Sequence, residues 1–190
     1  MEETPFISFI IPVYNVPTEM LCECLDSIKA LSLNPEEREI IIVDDGAKVS
    51  PLNALSNYQD DIIYIRQKNG GLGCARNRGL QNATGQYIQF VDADDALITN
   101  QYEHCLDIAR FKGPDMVMFE FSRQDQSQKV YADQKAATGR YLLRHQNIKA
   151  TACGYLFKAT ILGNLRFTTG IYHEDEEFTP LLLLRAKVVY

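Results

Sequence analysis

The 190-residue sequence predicts an α/β fold, a mostly parallel central sheet with helices on both faces. Short apolar runs alternate with helix-patterned segments as far as about residue 121. The runs are too uniformly apolar to leave one face of the sheet in water. Several of them end abruptly in polar or acidic residues.

The first strand is expected at Phe6–Ile11, closed by Pro12. A helix should follow from about Pro17, a residue suited to a first helical turn, with Leu21, Leu25, Ile28 and Leu31 on its inner face. Glu39–Val43 reads as a doubly covered strand ending in Asp44-Asp45-Gly46. A short helix near Pro51–Asn57 leads to a third strand, Ile62–Ile65. Asn69-Gly70-Gly71-Leu72-Gly73 introduces a helix over Cys74–Asn82, and Gly85 precedes a strand that ends at Val91. The segment Asn100–Phe111 predicts a helix with Tyr102, Cys105, Leu106 and Ala109 inward. Gly113-Pro114 breaks it before a strand over Asp115–Phe121. Arg123–Lys135 is polar and reads as a surface loop or an edge hairpin. Beyond it are expected a short helix at Arg140–His145, a strand at Tyr155–Phe157 and a helical turn at Thr160–Leu165. A helix over Glu174–Lys187 opens with acids and ends with bases, as its dipole favours. Val188–Tyr190 begins a strand that is cut short, as expected of a fragment or of a chain whose ordered part ends here.

Composition narrows the function. A hydrophobic content of 46% supports a real core. The net charge of −6 gives no basic face for nucleic acid. The acidic N-terminus is not a signal peptide, and no apolar run approaches the roughly 18 to 20 residues of a membrane span. The five cysteines are odd in number and scattered. They fit neither a disulfide framework nor a zinc site, and read as small core residues in a reducing cytosol.

The chemistry is concentrated at the strand ends, where open parallel sheets bind ligands. Tyr14 and Asn15 follow the first strand, Asp44 and Asp45 the second, and Asp92, Asp94 and Asp95 the strand ending at Val91. Clustered carboxylates repel one another and resist desolvation unless a cation joins them. Mg²⁺ or Mn²⁺ carrying a diphosphate suits them, because such ions take one or two carboxylates plus phosphate oxygens. Asp44-Asp45-Gly46 taken alone reads first as an ordinary turn, and it is the three such clusters, each directly after an apolar strand, that point to a site. The loop Gly70–Gly73 can turn backbone N–H groups toward phosphate, with Arg76 adding charge, or can be simply flexible. It does not follow the first strand, so it is a poor dinucleotide fingerprint and counts against an oxidoreductase. His173-Glu174-Asp175-Glu176-Glu177 supplies a general base or merely acidifies a helix start.

Taken in order, these pieces resemble glycosyltransferase family two. The matching residues are Ile11-Pro12-Val13-Tyr14-Asn15, Ile42-Val43-Asp44-Asp45-Gly46, and Asn69-Gly70-Gly71 with Ala75-Arg76-Asn77-Arg78-Gly79-Leu80. Gly85-Gln86-Tyr87-Ile88 with Phe90-Val91-Asp92-Ala93-Asp94-Asp95 follows, then Glu174-Asp175 with Phe178. The resemblance implies a GT-A fold, with a Rossmann-like nucleotide-binding half over 1–121 and an acceptor-side half over 122–190 that is truncated at its C-terminus. It implies a nucleotide-sugar donor held by the backbone at Pro12 and Val13 and by Asp45, which would accept from a ring N–H of the base, usually uracil. Arg76 would sit near the base and Asp45. Tyr14, Asn15, Gly71 and Ala93 complete the implied donor set. Asp92 would lie near the ribose or the metal, and Asp94 would bind the Mn²⁺ or Mg²⁺. Asp175 would be the base, with Glu174 and His173 beside it.

The implied reaction is metal-assisted transfer with inversion to a saccharide or lipid-linked acceptor, in cell-surface polysaccharide synthesis. The implied location is cytoplasmic, with contact at the inner membrane face. Two departures stand out. Ala47-Lys48-Val49 occupies positions where the family commonly has Ser and a further acid, and the chain has no Trp for a Gln-x-x-Arg-Trp motif. A nucleotidyltransferase would favour a basic glycine loop where Pro12-Val13-Tyr14-Asn15 stands. A non-catalytic nucleotide-sugar-binding domain would bind donor without turnover.

Overall fold

The computed structural model describes residues 4–122 and 135–190. Its centre is a six-stranded mixed sheet in the order β3-β2-β1-β4-β6-β5. These strands are β1 (Ile7–Val13), β2 (Arg38–Asp44), β3 (Ile62–Arg66), β4 (Tyr87–Phe90), β5 (Met116–Met118) and β6 (Tyr155–Lys158). The first four pair in parallel, whereas β6 runs antiparallel to both β4 and β5. The mostly parallel sheet expected from the sequence is therefore present, with one antiparallel strand, β6, inserted between β4 and β5.

Residue parity along β1 separates two cores. Ile7, Phe9, Ile11 and Val13 pack with α1 (Thr18–Lys29) and α3 (Thr99–Lys112). Ile10 faces the other way, toward α2 (Leu72–Asn82) and α6 (Glu174–Leu183). Ile40 and Ile42 join the first core and Ile41 and Val43 the second, as the period-two geometry of a strand requires. Helices thus cover both faces. Two shorter helices, α4 (Gly139–His145) and α5 (Ala159–Leu162), complete the second layer.

Pro12 lies inside β1 rather than closing it. The Ile10 carbonyl accepts from Val91 N on the β4 side. Pro12, two residues on, faces the same side with no N–H to donate. The β1–β4 pairing stops at Ile10↔Phe90, while the β1–β2 pairing runs on to Val13↔Asp44. The strands separate where the order of the sheet reverses, so a crevice opens at the topological switch point.

Other boundaries shift for local reasons. Pro17 is the N-cap of α1, not its first turn. The short helix expected at 51–57 is two 3₁₀ turns, Pro51–Asn53 and Ser56–Tyr58. The β5 strand is shorter than expected. The α6 helix ends at Leu183 rather than Lys187 and carries Pro180 inside it. The basic residues expected to complement its dipole therefore fall outside its last turn. Val189 forms single bridges with Met116 and Ala137 rather than a strand. The loop or hairpin expected over 123–135 lies, but for Lys135, outside the described residues. No helix among the described residues is long and apolar enough to cross a membrane. All five cysteines are free, with Cys24, Cys105 and Cys153 buried.

Candidate active site

Residues at the C-terminal ends of β1, β2 and β4 meet the N-terminal turn of α2. Pro12 and Val13 are buried in the end of β1, and Tyr14 and Asn15 emerge exposed. Asn15 adopts a left-handed backbone, φ 54°, and its Oδ1 accepts from Lys48 N at 2.9 Å. The loop after β2 is thereby tied to the loop after β1. The Asp45 N–H donates to Val13 O at 2.9 Å and reinforces that tie.

The two aspartates after β2 do different work. Asp44 is fully buried and accepts from Tyr64 Oη at 2.6 Å and Ala47 N at 2.8 Å. Arg66 lies 3.6 Å from it. Tyr64 and Arg66 come from the neighbouring strand β3 and Ala47 from the turn itself, and together they hold the end of β2. Asp45 accepts from Gln67 Nε2 at 2.7 Å, Gly70 N at 3.0 Å and Gly71 N at 2.8 Å. Successive backbone N–H groups form a natural cradle for an anion, and here Asp45 occupies it. Gly71 is the N-cap of α2, with φ 87°, and is exposed.

Arg76 sits one turn into α2 and is only 2% exposed. Its NH1 donates to Glu174 Oε1 at 2.8 Å, and its NH2 donates to Asp92 Oδ1 at 3.2 Å. The guanidinium also lies over the rings of Phe90 and Phe167, at 5.9 and 5.5 Å. Its Nε has no hydrogen-bond partner. Burial opposes the Arg76 charge, but the charges around it prevail and hold its pKa above the ordinary guanidinium value. Burial pushes the neighbouring Cys153 thiol well above its usual range. That thiol is neutral near pH 7, so the two carboxylates do the pairing. Arg76 and Asp45, expected side by side, thus have separate hydrogen-bond partners.

The segment leading into α6 is fastened to α2 by further contacts. Asn77 Nδ2 donates to Phe167 O at 2.8 Å, and Asn77 Oδ1 accepts from Phe167 N at 2.9 Å. Gly73 provides the close approach, since a Cβ there would stand 3.2 Å from both Glu174 Cγ and Thr168 O. Phe167 stacks on Phe178 at 3.8 Å, with Phe90 edge-on to both. Glu174 is buried, whereas Asp175 is half-buried in the first turn of α6. His173 is the N-cap, with φ 60°. Gly73 and Asn77 belong to the motif already noted in the sequence, but their grip on residues 167–174 has no local signature. Gln67 and Cys153 had no sequence signal at all.

Asp92 is half-buried and Ala93 buried, while Asp94 and Asp95 are exposed on the turn that follows β4. Burial first, then the charges of Asp92 and Asp94, raise the Asp95 carboxyl above its ordinary pKa. The turn brings the carboxylates of Asp92, Asp94 and Asp95 near one another, a donor set that fits a hard divalent cation. No grouping of three or more potential metal ligands exists among the described residues. Asp92 and Asp94 would therefore share the ion with oxygens brought by a ligand. A cavity of about 660 Å³ opens beside the same turn, lined also by Leu97, Tyr102 and Phe119.

An α/β sheet with a switch-point crevice, a glycine-rich helix entry and strand-end carboxylates is an arrangement suited to holding a phosphorylated ligand. Comparison with known proteins agrees. The pattern of glycosyl transferase family 2 matches residues 8–167. "Glycosyltransferase GlyA" of Streptococcus pneumoniae is 34% identical over 97% of this chain. The poly(ribitol-phosphate) beta-glucosyltransferase of Bacillus spizizenii is 30% identical over 96%. The chain spans 29% and 30% of those two proteins. S. aureus TarS 1-349, solved with UDP-GlcNAc, superposes with a TM-score of 0.80 at 21% identity, covering 96% of this chain and 54% of TarS. The mannosyltransferase PcManGT of Pyrobaculum calidifontis, solved with GDP-Man and Mn²⁺, gives 0.72 at 17% identity, covering 98% and 54%. The fold is the GT-A arrangement, and the chain belongs to glycosyl transferase family 2.

Proposed function

We propose that this chain carries the donor site and the general base of an inverting glycosyltransferase that uses a uridine-diphosphate sugar. One observation carries the reading. The α2 helix and its N-cap touch Asp45 through Gly71, and Asp92 and Glu174 through Arg76, which supports a reading in which base-binding, diphosphate-binding and proton-accepting groups serve one ligand.

In this reading Pro12 and Val13 shape the wall against which the nucleotide base lies. Asp45 contributes through the Gly70–Gly71 backbone that it orders, and through acceptance from the base. Tyr14, Asn15 and Ala93 border the ribose and diphosphate. Asp94, with Asp92, would hold Mn²⁺ or Mg²⁺. That ion, when bound, supplies charge neutralisation to the departing nucleoside diphosphate. Asp175 takes the proton from an acceptor hydroxyl as its oxygen attacks the anomeric carbon from the face opposite the leaving group. A single displacement inverts the configuration, with no covalent sugar on the protein. The uridine preference is supported by the UDP-GlcNAc in TarS, and metal use by the Mn²⁺ in PcManGT. The name of the Bacillus relative, a poly(ribitol-phosphate) beta-glucosyltransferase, supports a hydroxyl-bearing polymer as the acceptor.

The test is calorimetry with UDP, UDP-GlcNAc and GDP-Man, each with and without Mn²⁺. UDP should bind in a metal-dependent way, and Asp94→Asn should weaken it at least about tenfold. Asp175→Asn should retain UDP binding and lose about 10²-fold or more in UDP release from a turned-over donor. Equal loss of UDP affinity in both variants would refute the division of roles.

A further inference from the structure

Glu174 is adjacent to the proposed base and is itself a carboxylate, yet its surroundings are unlike those of a reacting group. It is 6% exposed, and Arg76, 2% exposed, holds its Oε1 at 2.8 Å. A proton acceptor must reach the acceptor hydroxyl within about 3 Å. A buried carboxylate paired with a guanidinium lacks that access. Removing one partner of such a pair leaves a buried charge uncompensated, so the two side chains are fixed by each other.

The same guanidinium reaches Asp92 through its other terminal nitrogen. One cation therefore spans the turn that carries Asp94 and the turn that carries Asp175. Asn77 and Gly73, on the same helix, fix the chain just upstream of that second turn. Residues 168–173, with two left-handed residues at Gly170 and His173, join α6 to the clamp. Thr168 Oγ1 donates to Glu177 and Phe178 stacks on Phe167, while the Arg76–Glu174 contact ties this turn to the Asp92 turn.

We propose that Glu174 is a positioning residue rather than a reacting one. Held by Arg76, it fixes the first turn of α6, and with it the Asp175 carboxylate, relative to the carboxylate turn at Asp92. This rests on the reading of Asp175 as the base. The effect is on turnover, through the distance and direction of Asp175, and not on donor affinity.

The experiment compares Glu174→Gln, the double variant Arg76→Met/Glu174→Met and Asp175→Asn. Three readouts are used, Mn²⁺–UDP affinity by calorimetry, UDP release from UDP-GlcNAc, and amide hydrogen exchange over residues 171–178 in the metal-free protein. Glu174→Gln should bind Mn²⁺–UDP within about threefold of wild type and release UDP on the order of 30-fold more slowly. Its 171–178 amides should exchange at least about tenfold faster, while those at the end of α2 stay unchanged. The double variant removes both charges and replaces them with flexible apolar side chains among Phe90 and Phe167. It should regain the wild-type urea midpoint yet keep the slow UDP release and the fast exchange.

Recovery of turnover and exchange protection together with stability in the double variant would make the bridge merely structural and overturn the proposal. Loss of Mn²⁺–UDP affinity in Glu174→Gln in proportion to turnover would place Glu174 in the donor site and also overturn it. Wild-type turnover in Asp175→Asn would sink the assignment of the base instead. Hydrogen exchange still decides whether the bridge anchors the turn, even for a protein that turns over none of the probe.

Discussion

Arg76 and Glu174 lie 98 residues apart in the chain and meet at 2.8 Å in its interior. Both are nearly solvent-free, with side-chain exposures of 3% and 8%. Arg76→Met alone would strand Glu174 among apolar neighbours and should cost on the order of 3–5 kcal/mol in urea unfolding. The double variant with Glu174→Met should recover most of that. A single variant as stable as wild type would show that water reaches the pair.

Asp45 orders the glycine loop by accepting from Gly70 N, Gly71 N and Gln67 Nε2. Asp45→Ala leaves those donors without their acceptor. Stability should fall by about 1–3 kcal/mol, and UDP affinity by at least about tenfold. Urea melts and calorimetry on the same preparation check both. A stability loss with full UDP affinity would confine Asp45 to a structural role.

Gly73→Ala should separate helix propensity from site geometry. Alanine favours an α-helix over glycine by about 1 kcal/mol. Its Cβ would press on Glu174 Cγ and Thr168 O at 3.2 Å and on Phe167 Cβ at 3.3 Å. Stability should change by less than about 1 kcal/mol as these effects offset. UDP release should fall about tenfold, because small misplacements near a reacting centre cost rate steeply. Unchanged turnover would mean that the 167–174 segment yields without moving Asp175.

Burial pushes the Cys105 thiol from 9.0 up to about 12. The folded state therefore holds a proton that the unfolded chain releases near pH 9. The stability gained from that difference is whole below about pH 9 and is lost as pH rises toward 12. The loss has a slope of about 1.4 kcal/mol per pH unit for one proton. Cys105→Ala should flatten alkaline unfolding curves by about one proton, with the phenol of Tyr87, also raised to about 12, still contributing. An unaltered slope in the variant would mean that Cys105 ionises as readily in the folded protein as in the unfolded one.

The parallel half of the fold was readable because its signals are local. Runs such as Glu39–Val43 and the inner face Tyr102, Cys105, Leu106 and Ala109 need only strand and helix periodicity. The antiparallel insertion of β6 was not readable, because Tyr155–Lys158 says nothing about its neighbours' direction. The carboxylates at the strand ends were legible as a group, but their separate partners were not. Asp44 and Asp45 are adjacent and chemically identical. Only the positions of Tyr64 and Gly71, brought in from other parts of the chain, distinguish a turn-holding residue from a loop-ordering one. The pairing of Arg76 with Glu174 belongs to the same category, since it depends on how two helices pack and not on any spacing along the chain.

The missing amide of Pro12 has a final consequence. Side chains on either lip of the crevice can be exchanged without letting the first and fourth strands zip together, because the interruption is written into the main chain. Nucleotide preference could thus drift by ordinary substitution at the rim while the opening itself persists. A change at this single imino acid would be the one to threaten the gap.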